Sequence, residues 1–245
     1  MKKVNRVSLL LVAAIALFLF LKAQTPATIK SDTASEAQII VSTDLKNISQ
    51  DEIDGVKKEA WKALRFIPPI LGINYNKAIE IKIVDKGETC NAIGGVVSLL
   101  IAHIRDKHAP IIHEVTHVLA RHEDNSFFSE GLAVYFQERF GDNPAFPNFS
   151  EPLDDLMREN KDQYIPITQL VNDNEIFRQV GTDQRKLAYL TAGSFFSFLI
   201  EKYGEQKLAD LHNSRTLDYK RAYGKEIYDL EAEWQSHVFD EPHSL

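Results

Sequence analysis

An α+β fold, with a small mixed sheet towards the amino terminus and a mainly helical second half, is what this sequence predicts. Three observations carry it. Stretches rich in β-branched residues cluster before residue 105, helical periodicity dominates after residue 110, and the 245 residues are 44% apolar and 26% charged, an ordinary globular balance. In chain order, Ala37 to Ser42 has the content of a first strand. A helix follows from about Ser49, with Ile53, Val56, Ala60, Leu64 and Ile67 three and four apart, and Pro68-Pro69 is expected to stop it. Ala78 to Val84 alternates as a strand, with Ile79, Ile81 and Ile83 set against Glu80 and Lys82. Gly94-Gly95 opens a further strand, Val96 to Ile104. Helices are then expected near 110–121, 126–139, 151–160, 183–203, 205–213 and 225–238. Gly141 to Pro152, with three prolines, reads as a surface loop within one domain, and Trp61 and Trp234 read as core.

The first 27 residues stand apart. Lys2, Lys3 and Arg6 precede an apolar run from Val7 to Leu21 interrupted only by Ser8. That length suits a secretory signal better than a full span, which needs about 20 residues, and Thr25-Pro26-Ala27 offers a small-x-small cleavage site. The expectation is an extracytoplasmic protein whose residues 1–27 are a signal peptide, or an anchor holding the membrane through residues 7–21, with 28–245 as the working domain. No cysteine follows the run, which excludes a lipoprotein anchor. Without residues 1–27 the chain has 24 basic against 35 acidic residues, or −11. A body so acidic is not expected to bind nucleic acid. The sole cysteine, Cys90, excludes intrachain disulfides and thiolate zinc sites, so a metal would have to be held by histidines and carboxylates.

One pentapeptide offers that chemistry: His113-Glu114-Val115-Thr116-His117. Histidines four apart on a helix project from one face, so both rings can reach one ion at ~2.0–2.1 Å. Glu114 is beside them, suited to act as a base towards water activated by zinc. Pro110 fits the first turn of such a helix, and Arg121 and His122 complement the dipole at its end. In a chain of this composition the pattern is expected by chance roughly 0.02 times. A third ligand is needed. The metzincin pattern would require Gly at 120 and His at 123, where Ala120 and Glu123 stand. The alternative is a glutamate from the next helix, and Ser129-Glu130-Gly131-Leu132-Ala133 supplies Glu130. A turn near Glu123 to Ser126 lets the chain reverse, capped by Asn125 or Ser126, and the small Gly131 and Ala133 are expected to let the two helices approach closely.

HEVTH followed by SEGLA, with Ala188-Tyr189 leading a helix that ends Glu201-Lys202-Tyr203-Gly204 and the later Leu230-Glu231-Ala232-Glu233-Trp234, resembles the gluzincin metallopeptidases. More narrowly, it resembles the peptidase MA-like families of exported bacterial proteins. The resemblance spans roughly residues 80 to 238 and implies a zincin-like fold, with its active-site helix packed on the helical half. It further implies Zn2+ held by His113, His117 and Glu130, Glu114 as catalytic base, and hydrolysis of peptide bonds as an endopeptidase. Tyr189 occupies the place where related enzymes carry a donor to the oxyanion, although it also belongs to an apolar stripe with Ala192, Phe196, Leu199 and Tyr203; His212 is a weaker candidate. By the same resemblance a polypeptide substrate would bind extended along an edge strand, Val96 to Ile104. Asn91-Ala92-Ile93-Gly94-Gly95 stands where aminopeptidases of the group carry Gly-x-Met-Glu-Asn.

Two alternatives remain open. One is a catalytically inactive binding module on the same scaffold, suggested by Val134, where many gluzincins carry an acid that orients a zinc histidine. Glu138, a further turn on, reads as a solvated acid. The other alternative is a metal-dependent hydrolase of a non-peptide bond.

Overall fold

The computed structural model describes residues 38–122, 124–214 and 216–240. Residues 1–27, read above as a signal or anchor, lie outside them. Among the described residues no helix is long and apolar enough to cross a membrane.

Four strands, β1 (Ile39–Thr43), β2 (Ile79–Val84), β3 (Asn91–Ile93) and β4 (Val96–Leu100), form one mixed sheet in the order β1-β2-β4-β3. β1, β2 and β4 run parallel, and β3 pairs antiparallel with β4. Alternation in β2 works as the sequence suggests, Ile79, Ile81 and Ile83 pointing into the core and Glu80 and Lys82 outward. The strand expected over Val96 to Ile104 needs correction. It ends at Leu100, and Ile101–Arg105 turns into a short helix, α2. It is not an edge either, because β2 and β3 flank it. A run of Val and Leu is what a strand covered on both faces requires, whereas an edge tolerates polar residues. The free edge on that side is β3, whose three residues carry no periodic signal. Gly94 and Gly95, with φ of 60° and 83°, make the two-residue turn of the β3–β4 hairpin, a conformation that other residues adopt only with strain.

Helix α1 (Gln50–Leu71) begins with a capping box: the Ser49 hydroxyl accepts from the Glu52 N–H at 3.2 Å, and the Glu52 carboxylate accepts from the Ser49 N–H at 2.6 Å. The prolines do not stop it. Pro68 and Pro69 lie in its final turn, each forgoing the N–H bond to the turn before, while Ile70 and Leu71 continue the buried stripe before Gly72 ends the helix in the left-handed conformation. α1 packs against β1 and against the next long helix, α3 (Ile111–Ala120), which also touches β3 and β4. Trp61, expected in the core, is 48% exposed on α1. The stripe facing inward is Val56, Ala60, Ala63 and Ile67.

The second half is helical: α4 (Ser126–Phe140), α5 (Leu153–Glu159), α6 (Ile167–Leu170), α7 (Asp183–Tyr203), α8 (Glu205–His212), α9 (Tyr219–Tyr223) and α10 (Ile227–Asp240), with a 3-10 turn at Ile176–Arg178. α4 packs on α3, and α7 on α4. The path therefore runs from the sheet through α3 and α4 to α7. The last contact is close: a Cβ at Gly131 would lie 2.4 Å from the Phe196 ring, and one at Gly193 would lie 2.4 Å from Val134. The small residue at 131 thus serves the approach of α4 to α7, not of α4 to α3 as expected. Gly141 to Pro152 is not a free surface loop, since Ala145 and Asn148 are buried and Phe146 packs on Tyr189. Trp234, fully buried on α10, donates to the Ser194 hydroxyl on α7 at 2.9 Å.

Candidate metal centre

α3 is buried almost all round, so its polar groups depend on protein partners: the Thr116 hydroxyl donates to the Ile112 carbonyl of the same helix at 2.7 Å, and both histidines meet residues of α4. Its first turn lacks a side-chain cap. Instead the Gln137 side-chain oxygen, from the end of α4, accepts the His113 N–H at 3.1 Å. At the other end Arg121 closes the helix in the left-handed conformation at φ 56°, its N–H donating to the His117 carbonyl at 3.2 Å. The chain then reverses. Asn125 caps α4 by accepting the Phe128 N–H at 2.9 Å, and Asn174 braces the turn, accepting the Ser126 N–H and donating to the Asp124 carbonyl. α3 and α4 are thereby fixed antiparallel, tied at both ends.

The consequence is convergence of three side chains. Glu130 Oε2 lies 3.1 Å from His113 Nε2 and 3.4 Å from His117 Nε2, and the three ligand atoms all lie within 4.8 Å of one another. Donors arranged tetrahedrally around an ion at ~2.0–2.1 Å sit ~3.3 Å apart. The spacing therefore fits a divalent ion of that size. Burial alone would raise the Glu130 carboxyl, but the two imidazoles reverse this and hold it well below the usual carboxylate range, so it is an anion ready to ligate. His117 Nδ1 pairs with the Ser129 hydroxyl at 2.8 Å, which fixes the ring and leaves Nε2 to face the site. His113 Nδ1 is buried without a hydrogen-bond partner. One turn beyond Glu130, Val134 packs towards Gly193 and supplies none.

Glu114 is buried and opens onto the same cleft. Burial raises its carboxyl above the ordinary range, against the pull of His113 and His117. Tyr189, from α7, stacks parallel to the His113 ring at 6.1 Å between centroids. Both readings of this residue hold together: the ring is packed by Phe146 and Phe177, while burial and then the Glu130 charge push the phenol far above its ordinary value, so it stays a protonated donor. The cleft has a volume of about 320 Å³, at the small end for ligand sites. One wall is the β3 edge, Asn91 to Ile93.

Several residues weighed from the sequence are elsewhere. His212 is behind the site, its Nε2 paired with the Ala120 carbonyl at 3.1 Å, and His122 Nε2 meets the His212 carbonyl. His108 pairs with the Pro144 carbonyl, and His103 faces Cys90, whose thiol burial pushes up to about 11. Glu138 is neither a partner of the metal histidines nor a solvated acid: it is half-buried and accepts the Leu153 N–H at the start of α5 at 3.0 Å. Two contributors escape sequence reasoning. Ser129 has no pattern of its own. Arg185, one turn before Tyr189, donates from Nη2 to the Tyr189 hydroxyl at 3.0 Å and from Nε to the Phe177 carbonyl at 2.8 Å, and its one available signal is that spacing of four.

No protein-family model, curated protein or solved structure matches this chain. The reading of the site therefore rests on its own geometry.

Proposed function

We propose that this protein is a zinc-dependent hydrolase of peptide bonds with a zincin-like fold, a gluzincin-type endopeptidase working outside the cytoplasm. The observation that carries the reading is one carboxylate oxygen within 3.1 and 3.4 Å of two imidazole nitrogens, with a second acid, Glu114, in the same cleft. His113, His117 and Glu130 would hold the ion, which supplies Lewis acidity and makes water acidic near neutral pH. Glu114 takes the proton of the attacking water and passes it to the leaving amine, a transfer suited to a carboxylate whose proton affinity is raised by burial. Tyr189 donates to the developing oxyanion. The extended substrate pairs its backbone with β3, which takes over the role first expected of Val96 to Ile104. The extracytoplasmic setting rests on the composition of residues 1–27.

A binding module on the same scaffold is the second reading, favoured by the unpartnered His113 Nδ1, since metal-binding histidines of enzymes are usually braced at that atom. Metal analysis with turnover of an unfolded protein separates the two. Wild type and Glu114→Gln should each carry one zinc, and only wild type should cleave. Stoichiometric zinc without cleavage of any peptide library establishes the binding module, and absence of zinc from both proteins removes both readings.

A further inference from the structure

The charges in the cleft are unequally committed. Four charged side chains face it: Glu114, Glu130, Arg178 and Arg185. Glu130 is engaged with the two imidazoles, and Glu114 is the base, which leaves two arginines on the wall built by the 3-10 turn and α7. Two guanidiniums thus stand against two carboxylates in the cleft of a chain whose formal charge is −7. Arg185 is held rigidly. Its guanidinium lies over the rings of Tyr189 and Phe146, at 4.8 and 5.3 Å from their centroids, and is pinned through Nε and Nη2 as described. Nη1 donates to no hydrogen-bond partner among the described residues. A guanidinium fixed by two bonds and two aromatic faces has lost its rotamer freedom before any ligand arrives, and it keeps a donor arm for an oxygen anion. Arg178 stands exposed at the mouth, paired with Glu175 at 2.5 Å.

We propose that Arg185 is a specificity-determining residue that reads a carboxylate of the substrate next to the reacting bond, with Arg178 drawing that carboxylate towards the cleft. The inference deepens the peptidase reading and rests on it for the substrate class, and a binding measurement tests it without turnover. The carboxylate can belong to an Asp or Glu side chain or to a peptide's own C-terminus. An uncharged target fits the wall poorly, since it would leave the free arm desolvated and unpaired.

The test uses the full chain carrying Glu114→Gln, loaded with zinc, and three peptides of one sequence: neutral and amidated, amidated with one internal Glu, and neutral with a free C-terminus. Calorimetric titration should give one carboxylate peptide an affinity about tenfold above the neutral one, and the peptide that responds identifies the source of the carboxylate. Adding Arg185→Ala should reduce that ratio to about one, while Arg185→Lys, which keeps the charge but not the fork, should leave about threefold. Arg185→Gln replaces the alanine variant if that one does not fold. Equal binding of all three peptides overturns the proposal. So does a uniform loss across all three in Arg185→Ala with the ratio intact, because the arginine would then only prop Tyr189. If wild type cleaves nothing but the ratio behaves as stated, the peptidase reading falls and the carboxylate site stands.

Discussion

Ser129 carries one hydroxyl into a buried corner, and its contact with His117 Nδ1 leaves Nε2 of that ring facing Glu130 and the candidate metal site. Ser129→Ala removes no ligand and almost no volume. It should nevertheless weaken zinc binding about tenfold, as loss of such outer partners commonly does, with the fold intact, and competition against a chromophoric chelator measures it. Glu138 makes a second prediction, about pH. Its carboxyl is raised to about 7, by burial first and then by Asp154 and Glu201, against the Leu153 N–H. The folded chain thus holds a proton there that the unfolded chain releases near 4.5, so the contribution of this group is fullest below pH 4.5 and is lost as pH rises through about 7. Glu138→Gln keeps an acceptor for the Leu153 N–H without the charge. Its stability relative to wild type should climb across that window to about 1–2 kcal/mol at pH 8, a figure reduced for the group's partial exposure, and urea unfolding at pH 4.5, 6 and 8 checks it. At this scale the sequence discloses the three side chains that could hold a metal ion, His113, His117 and Glu130, the two histidines most directly because spacing on one helix is local information. Ser129 and Arg185 act across helices, and no local pattern carries a contact of that kind.

The packing of α4 on α7 sets where Glu130 stands. Gly131→Ala would gain up to about 1 kcal/mol of helix propensity, but its Cβ would collide with the Phe196 ring and approach the Ala192 carbonyl to 3.0 Å. The two long buried helices have little room to yield, so overpacking wins by about 1–2 kcal/mol. Gly193→Ala, against Val134 and Leu153, should cost a similar amount. Thermal melts rank both below wild type, and zinc affinity should fall more for Gly131→Ala, whose displaced backbone adjoins Glu130. Element boundaries were readable where caps and glycines mark them, as at Ser49, Asn125 and Gly204, which begins α8 where α7 ends. The ends of α1 and β4 depart from the sequence pattern for identifiable reasons. Pro68-Pro69 looks like a terminator but occupies a turn that the apolar stripe continues through, and the apolar run into Ile104 bends from strand to helix without a breaker.

Across the whole molecule, the α+β class and the order of strands before helices followed from patterning, whereas sheet order did not, since pairing joins segments distant in sequence. A metal that clamps α3 to α4 ties the sheet-side layer to the helical half, so its effect should be global. At a thousand times its dissociation constant, zinc should add about 4 kcal/mol and raise the melting temperature by roughly 8–16 °C. Glu130→Gln should abolish most of that shift, as differential scanning calorimetry with and without chelator would reveal. The bare β3 edge has a further consequence. Three residues span only ~10 Å, enough to grip a short straightened piece of polypeptide and nothing wider. A rigid target offers such a piece only in its loops and chain ends. For the peptidase proposed above, the pace of cutting would then depend on how often the victim's own fluctuations free more, and damaged or half-made proteins would be consumed faster than their intact counterparts.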